Sequence, residues 1–365
     1  MRANYQRLGD YIRPVDVRNK ELKVSSPMGV NIGKFFMPSV ANTIGTDLSK
    51  YKLVAQWQFA CNLMHVGRDE ALPIACNESE IDLLVSPAYH VFEIVNTIFL
   101  MPEFLTLLFK RSVFDREAWF YTDGDVRQGL PVSSLYNMKL PVPSIEEQRR
   151  IVAQYQAAEI RIRNNERLIA HLEDTAQAIF HHRFVENIDP NNLPKGWKIG
   201  HIDDIAILKV GGDKPKVFSR VPTRDCEIPI YSNGIDQKGL YGFTDKPSIR
   251  EKSVTISARG TIGYCFLRYY PYFSIVRLIS AIPKEYHSLY YLFFALKNKN
   301  LTGDGSVQNQ LTVPFLLTED FIIPTAKELE LFYSEVHGLY SYLTIIEKEL
   351  DLLRGLQSMI ISKLV

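Results

Sequence analysis

The sequence predicts an α+β fold: two mixed α/β globular regions in pseudo-twofold repeat, separated by two long helices that form an antiparallel coiled coil. Three observations predict it. The 365 residues suffice for two or three domains. The second half of the chain repeats the first. Each copy also ends in a sustained heptad pattern, which is typical of paired helices.

The composition is that of a globular protein. Hydrophobic residues make up 46% of the chain and charged residues 23%, and 42 Lys+Arg against 41 Asp+Glu leave a net charge of +1. This balance excludes a polycation and an acidic disordered tail. The four cysteines are far apart and form no CxxC pair, which favours reduced thiols. With no secretory signal at the N-terminus, we expect a soluble, cytoplasmic protein.

The most apolar stretch of the chain runs from Val91 to Phe109. Polar or helix-breaking residues interrupt it, among them Glu93 and Pro102. A membrane span needs about 20 consecutive apolar residues. The stretch therefore predicts a buried helix, and no membrane association is expected.

An internal repeat organises the chain. Residues 124–184 lie without a gap on residues 305–365, at a constant shift of 181. The matched pairs include Gly124 with Gly305, Leu130 with Leu311, Val132 with Val313, Pro143 with Pro324, and Glu147 with Glu328. Upstream, Leu8–Ile12 resembles Ile202–Ile205 at a shift near 194. The repeat predicts globular regions at 1–143 and 187–325, followed by helices at 144–186 and 326–365.

The two predicted helices share one heptad register. Mostly apolar residues recur every three or four positions in the first helix, at 151, 155, 158, 162, 165, 169, 172, 176, 179 and 183. The same positions plus 181 form a richer apolar seam in the second helix. Such a seam is typical of a two-stranded coiled coil. The alternative is an ordinary amphipathic helix on each domain, although the shared register favours a common partner surface.

Both helices have matching start signals. Ser144 is the expected N-cap of the first helix, with Glu147 placed to close a capping box. Thr325 and Glu328 repeat that chemistry in the second copy. A helix of about 40 residues is roughly 60 Å long. Antiparallel pairing of two such helices would set the globular regions apart and inverted, a symmetry that duplex DNA shares.

The globular regions combine short strands and helices. β-like runs at Ser253–Ile256 and Phe273–Val276 lie between turn-rich segments, and helices are predicted at 91–110 and Leu289–Lys297. Residues 1–143 carry 15 Lys+Arg and 15 Asp+Glu, whereas residues 191–325 carry 17 and 12. The basic run Lys209–Arg224 is either a phosphate contact or a solvated loop. Charge this weak would not hold DNA without a partner.

Sequence motifs for catalysis are missing. No GxxxxGK[ST] loop, no GxGxxG after a strand and no HExxH occurs. His181 and His182 stand near a helix end, where interaction with the helix dipole or solvent is favoured over a metal. We therefore expect no catalytic site, no metal and no cofactor.

Several segments resemble a known family, the specificity (S) subunits of type I restriction–modification enzymes. The resemblance spans essentially the whole chain. It is carried by Leu140–Val152, the proline-rich exit into the first helix, by Leu193–Trp197, by Ile256–Gly263, by Gly305–Leu311 and by Leu84–Phe92. The second exit departs from the pattern, because Leu329 stands where Gln148 stands in the first copy.

The resemblance implies a non-catalytic subunit of a DNA methyltransferase and restriction endonuclease complex. In this family each target recognition domain reads one half of a bipartite site on double-stranded DNA, and the paired helices set the gap between the halves. The helices also dock two methyltransferase (modification) subunits, which bind S-adenosylmethionine and methylate adenine. Motor-nuclease (restriction) subunits then join.

Candidate DNA-reading residues follow from hydrogen-bonding chemistry, because Arg, Lys, Asn and Gln offer bidentate contacts to base edges. In the second copy these are Asn233, Arg259, Gln308 and Gln310, with Tyr231 as an apolar or phosphate contact. In the first copy they are Asn62, Arg68, Arg127 and Gln128. For each residue a surface turn or local hydrogen bond is the alternative.

Two other functions stay open at the level of sequence. The chain is alternatively a two-lobed helical scaffold or adaptor that joins proteins and never touches DNA. A third possibility is the specificity chain of a related methyltransferase–nuclease system. Selection of a motif from a mixed DNA pool distinguishes the DNA-binding functions from the scaffold.

Overall fold

The computed structural model describes residues 5–41, 45–64, 66–122, 129–186, 188–299, 301 and 310–364. The chain divides into two compact units. Unit 1 comprises Met1–Asn165 and Lys348–Val365, and unit 2 comprises Glu166–Glu347. Each unit therefore contains part of both long helices.

Unit 1 combines short strands with short helices and parts of both long helices. Its strands are β1 Tyr5–Arg7, β2 Ile12–Val15, β3 Pro27–Val30, β4 Phe36–Pro38, β5 Lys52–Val54, β6 Phe59–Cys61, β7 Ile74–Cys76, β8 Leu83–Val85, β9 His90–Ile94 and β10 Lys139–Pro141. Its helices are α1 Val66–Asp69, α2 Pro102–Phe109, α3 Ser112–Phe120, α4 Val132–Asn137 and the start of α5 Ile145–Phe184. The strands form two four-stranded sheets, in the orders β2-β9-β6-β7 and β4-β3-β8-β5, and a β1-β10 pair.

Unit 2 has the same plan. Its strands are β11 Lys198–Gly200, β12 Ala206–Val210, β13 Ile228–Tyr231, β14 Leu240–Thr244, β15 Ser253–Ile256, β16 Cys265–Arg268, β17 Phe273–Ser274, β18 Ile279–Pro283 and β19 Phe321–Ile323. Its helices are α6 Ile202–Ile205, α7 Leu289–Asn298, α8 Val313–Thr318 and the start of α9 Ala326–Ser362. The sheets have the orders β12-β18-β15-β16 and β14-β13-β17, and β11 pairs with β19.

The predicted internal repeat is confirmed by this topology. The order β2-β9-β6-β7 in unit 1 matches β12-β18-β15-β16 in unit 2 strand for strand. The parallel pair β3·β8 matches the parallel pair β13·β17. In both units the first strand pairs antiparallel with the last strand before the long helix. Helices α4 and α8, and likewise α5 and α9, begin 181 residues apart.

The predicted seam is confirmed in both long helices. All ten seam positions of α5 and all ten of the second series are buried or half-buried. In unit 1, Arg161 and Asn165 contact Glu349. Tyr155, which precedes Arg161 in α5, shares a cluster with Leu364, which follows Glu349 in the second copy. The partners therefore run in opposite directions along the chain, as an antiparallel pair does.

In unit 2 the same two helices pack through aromatic side chains. The rings of Phe184 and Phe332 lie 5.1 Å apart edge to face, and Phe180 stacks on Phe294 of α7 at 5.3 Å. These rings belong to one cluster of buried residues, which the helix pair shares with α7 and the sheet that α7 covers. Each such buried ring contributes about 2–3 kcal/mol relative to exposure. Unit 1 has an equivalent cluster, in which Phe59 stacks on Phe92 at 5.1 Å.

The helix start signals act through their hydroxyl groups. The Oγ of Ser144 accepts a hydrogen bond from the N–H of Glu147 (3.4 Å), and Thr325 does the same for Glu328 (3.3 Å). The Glu147 carboxylate, expected to close a capping box, instead accepts from the Arg150 guanidinium (2.8 Å). A charged donor one turn away offers a stronger hydrogen bond than the N-cap amide does.

One helix prediction is wrong. The stretch 91–110, predicted as a single helix, contains the strand β9, a connecting segment and the helix α2. Strand β9 lies between β2 and β6, and its successive residues Phe92 and Val91 are buried in two different apolar clusters, one on each face of the sheet. A strand covered on both faces is continuously apolar and resembles a buried helix in sequence. Pro102 then begins α2, where its missing N–H costs no hydrogen bond.

Other local predictions are confirmed. Helix α7 covers the predicted Leu289–Lys297, and β15 is the predicted Ser253–Ile256. The run Phe273–Val276 is a strand only at its first two residues. All four cysteines are free thiols. In the described part of the chain, no helix combines the length and apolar character needed to cross a membrane.

Candidate nucleic-acid interface

In unit 2, four connections meet at one end of the two sheets. The last residue of β12, Val210, and the last residue of β15, Ile256, both pair with Ile279, the first residue of β18. The N–H of Ile275 donates to the carbonyl of Tyr231 at the end of β13. We call residues 211–213, 232–234, 257–264 and 275–278 the loop end of unit 2. It contains Asn233 and Arg259, and it borders Tyr231.

Asn233 connects two of these loops through its side-chain amide. Its Oδ1 accepts a hydrogen bond from the N–H of Ala258 (2.7 Å), and its Nδ2 donates to the carbonyl of Val276 (2.7 Å). The Ser257 hydroxyl also approaches Oδ1, at 3.4 Å. Both ends of the amide are therefore occupied by neighbouring residues, although a bidentate contact to adenine would need them free.

Arg259 and Gln310 lie side by side. The Arg259 guanidinium donates to Oε1 of Gln310 at 3.0 Å, and the arginine side chain is exposed. The N–H of Leu311 donates to the carbonyl of Ala258 (3.0 Å), which holds this segment against the loop after β15. In unit 1 the matching Leu130 donates to the carbonyl of Leu63 (2.8 Å). The two copies thus share this loop contact.

Tyr231 is half-buried and covers a buried cation. The Arg268 guanidinium lies 3.5 Å from the centre of the Tyr231 ring. It also donates to the Thr255 hydroxyl (2.9 Å) and to the carbonyl of Lys238 (2.6 Å). Burial lowers the pKa of Arg268, because a low-dielectric surrounding disfavours the charged form. The hydrogen bonds and the aromatic face compensate part of that cost.

In unit 1 the equivalent loops follow β2, β3 and β6 and connect β8 to β9; we call residues 16–18, 31–35, 62–64 and 86–89 the loop end of unit 1. Asn62 follows β6, and its Oδ1 accepts from the N–H of Met64 (3.0 Å) in a local turn. Arg68 lies in α1 between β6 and β7, as Arg259 lies between β15 and β16, and it pairs with Asp69 at 2.7 Å. The charge of this exposed side chain is therefore compensated by a carboxylate.

Three predicted residues lie outside the described ranges, namely Arg127, Gln128 and Gln308. Sequence reasoning also missed one arginine that the loop end of unit 2 exposes. Arg277 lies in the turn between β17 and β18, with a positive φ of 63°. In sequence this segment follows a β-like run, and nothing in it signals an exposed turn.

Unit 1 buries an ion pair that involves its loop end. The Nζ of Lys34 contacts Oδ1 of Asp115 at 2.5 Å and donates to the carbonyl of Leu72. Burial lowers the pKa of Lys34, and Asp115 opposes that shift. The pair ties the segment after β3 to helix α3.

The described residues contain no cluster of three or more His, Cys, Asp or Glu side chains that could hold a metal ion. Burial raises the pKa of the Cys61 and Cys76 thiols, which disfavours the nucleophilic thiolate. What the loop ends offer is hydrogen-bonding chemistry: arginine and amide side chains on short, hydrogen-bonded loops.

The long helix α9 carries a second apolar stripe that its partner helix leaves exposed. Within unit 1 the stripe comprises Leu352, Leu356 and Met359, each at least 45% exposed. These residues recur at helical spacing on one side of the helix. An exposed apolar stripe of this kind is typical of a surface that contacts another protein.

A duplicated α/β unit with arginine and amide side chains on its connecting loops and a long helix in each copy has the architecture of a binding protein. Comparisons with known proteins show which family it resembles. The family model for the type I restriction modification DNA specificity domain matches residues 194–353. The C-terminal part of a putative type I specificity protein of Mycoplasma pneumoniae is 36% identical over 102 residues, which cover 28% of this chain and 70% of that sequence. The chain belongs to the family of type I restriction–modification specificity subunits.

Two further matches extend this result. A second putative type I specificity subunit of Mycoplasma pneumoniae is 34% identical over 150 residues, covering 41% of this chain. The match spans 44% of that relative's length. The crystal structure of the S subunit of a type I restriction–modification system from M. genitalium superimposes with a TM-score of 0.65 at 15% identity, covering 100% of this chain and 96% of that one. This likeness shows a shared fold.

Proposed function

We propose that this chain is the DNA sequence-specificity subunit of a type I restriction–modification complex. In this proposal the regions 1–143 and 187–325 are target recognition domains, and each reads one half of a bipartite site. The helical regions 144–186 and 326–365 are the spacer. The chain itself is non-catalytic and needs no cofactor.

The duplicated loop end is the observation that carries this proposal. Both units present loops after the same strands, and the same hydrogen bond from Leu130 or Leu311 holds the downstream segment against them. A protein that reads two half-sites needs one reading surface per copy. A scaffold that never touches DNA would not need the same loops built twice around a shared sheet order.

The chemistry of the two loop ends differs, which supports two unlike half-sites. In unit 2 the exposed Arg259 is hydrogen-bonded to a neutral amide, so its charge stays available for guanine O6 and N7. In unit 1 Arg68 already pairs with a carboxylate. Base contacts from this loop end would therefore depend more on neutral groups such as Asn62.

The exposed stripe of α9 supports docking of modification subunits on the helices. An amphipathic helix of a partner would bury Leu352, Leu356 and Met359, at about 25 cal/mol per Å² of apolar surface. We propose two methyltransferase (modification) subunits on the spacer, with motor-nuclease (restriction) subunits joining them. The near-zero net charge fits this assembly, since the partners would supply much of the DNA clamp.

Binding-site selection tests the proposal. The chain is purified with the modification subunit of the same host and incubated with a random DNA pool, and the bound fraction is sequenced. We expect two short fixed elements separated by a gap of constant length. A pool with no enriched motif would refute DNA recognition and favour the scaffold.

Two variants sharpen this test. Arg259→Ala is expected to relax selection at one base pair of one half-site, whereas Arg250→Ala is the control, because Arg250 is exposed just before β15, at the opposite end of the strand from Arg259. A uniform loss on all sequences would make Arg259 a phosphate contact instead.

Lengthening the spacer tests the role of the helices. One heptad is added to each helix, next to Asn165 in α5 and next to Glu349 in α9, so that the seam keeps its register. We expect a longer gap between two unchanged half-sites. Altered bases within the half-sites would contradict the spacer role.

A further inference from the structure

The turn between β17 and β18 has an unusual backbone for its residues. Val276 and Arg277 have φ values of 55° and 63°, and the N–H of Leu278 donates to the carbonyl of Ile275 (3.1 Å). Two central residues with positive φ and this hydrogen bond are the signature of a type I′ turn, which favours Gly and Asn. A β-branched residue such as Val276 is strained there. Strain of this kind persists only where surrounding contacts fix the backbone.

Several contacts fix this turn. The N–H groups of Val276 and Arg277 donate to the carbonyls of Gly212 (2.9 Å) and Gly211 (3.1 Å). A Cβ on Gly211 would lie 2.8 Å from the backbone nitrogen of Ile275, so only glycine allows this approach. Asn233 completes the arrangement through its Nδ2 hydrogen bond to the Val276 carbonyl. The turn is thus held from two separate loops.

The same Asn233 amide also holds the loop that carries Arg259. Its Oδ1 accepts from the N–H of Ala258, the residue before Arg259, while its Nδ2 reaches the residue before Arg277. One side chain therefore sets the positions of two arginine-bearing loops. Both arginine side chains are exposed, and neither forms an ion pair with a described residue.

The first copy lacks this arrangement. Its corresponding turn has Pro87 and Ala88 at the central positions, between β8 and β9. Cations near that loop end are paired with carboxylates, as Arg18 is with Asp16 at 2.8 Å. Among the described residues, the exposed arginine pair occurs at the loop end of unit 2 and not at that of unit 1, and the globular region of the second copy also carries the excess of positive charge.

From this geometry we propose that Arg277 is a specificity-determining residue that contacts a guanine edge in one half-site, and that Asn233 is a positioning residue that sets Arg277 and Arg259 relative to each other. This inference rests on the proposed DNA-recognition function. A guanidinium on a fixed backbone suits a bidentate contact to O6 and N7, which depends on position more strictly than a phosphate contact does.

The first test replaces Arg277. Site selection and competition binding are carried out with the Arg277→Ala chain in complex with its modification subunit. We expect about ten- to hundredfold weaker discrimination at one base pair of one half-site, with the other half-site unchanged. Arg250→Ala is the matched control and should leave both half-sites as in the wild type.

Two results would overturn the proposal for Arg277. A loss of affinity that is equal on all sequences, with a smaller salt dependence, would make it a phosphate contact. Unchanged affinity and selectivity would show that Arg277 does not contact DNA. Failure of the proposed function is distinguishable, because the wild-type complex itself would then select no motif.

The second test separates positioning from base contact at Asn233. Asn233→Asp keeps the acceptor for the Ala258 N–H but loses the donor to the Val276 carbonyl, so we expect relaxed selection at the Arg277 base pair only. Asn233→Ala loses both hydrogen bonds, and selection at the base pairs of both Arg259 and Arg277 should relax. Thermal unfolding of each variant is measured alongside, since a purely structural role would lower stability without changing the selected motif. Relaxation at a third base pair, with those two intact, would instead identify Asn233 as a base reader.

Discussion

Gln148 offers the most informative perturbation of the fold, because its repeat counterpart is Leu329. Its side chain is 0% exposed and makes three hydrogen bonds. Nε2 donates to the carbonyls of Phe99 (2.8 Å) and Pro143 (2.9 Å), and Oε1 accepts from the N–H of Met101 (2.9 Å). The amide thereby satisfies the backbone just before α2. We expect Gln148→Leu, the residue of the other copy, to destabilise unit 1.

The magnitude follows from the contacts. Three hydrogen bonds at about 1 kcal/mol each give a loss of about 3 kcal/mol, and the added apolar burial of leucine returns about 1 kcal/mol. The net loss is about 2 kcal/mol. The reciprocal change, Leu329→Gln, places an amide in the apolar cluster of unit 2, where Leu329 is 4% exposed. An unsatisfied amide there costs about 1–3 kcal/mol, so both exchanges should destabilise.

Urea unfolding by tryptophan fluorescence measures this effect. Two of the three tryptophans, Trp57 and Trp119, belong to unit 1, so a Trp197→Phe background makes the signal specific to that unit. A loss of about 2 kcal/mol lowers the midpoint by about 1 M for a slope of about 2 kcal/mol/M. An unchanged midpoint in Gln148→Leu would refute the role assigned to the three hydrogen bonds.

Three further predictions concern stability. Asp115→Asn leaves the Lys34 ammonium buried without its counter-charge, so the free energy of unfolding of unit 1, measured in urea, should fall by about 3–5 kcal/mol. Adding Lys34→Met should restore much of this stability. Equal stability of the single and the double variant would contradict the pairing. Val276→Gly removes a β-branched side chain from a residue with positive φ and should raise the free energy of unfolding of unit 2 by about 1 kcal/mol. Calorimetry measures this change, and a fall in stability would contradict the prediction. Burial raises the pKa values of Tyr290 and of the Cys265 thiol each to about 12, above their ordinary values of 10.0 and 9.0. Because these pKa values are higher in the folded state, the stability they contribute is fully present below about pH 9 and is lost as the pH rises toward 12; Tyr290→Phe should therefore reduce the fall in the free energy of unfolding between pH 9 and pH 12, and an unchanged fall would refute this.

The repeat and the helix pair could be predicted from the sequence for a physical reason. The side chains that pair α5 with α9 recur every three or four residues, and this period follows from helix geometry and not from the rest of the fold. Short strands such as β9 could not be assigned, since a strand buried on both faces has no alternation to separate it from a helix. Its identity is decided by the neighbouring strands β2 and β6.

Residue chemistry was enough to predict which types of side chain stand on the connecting loops of unit 2, and Arg259 was found in this way. Which of these side chains are held by hydrogen bonds and which are exposed depends on contacts between distant segments. Both hydrogen-bonding groups of the Asn233 amide are used, because Ala258 and Val276, which are distant in sequence, lie at its two ends. Arg277 is exposed because Gly211 and Gly212 hold its turn in a backbone conformation that its own residues disfavour. Such contacts join segments tens of residues apart, and no local pattern encodes them.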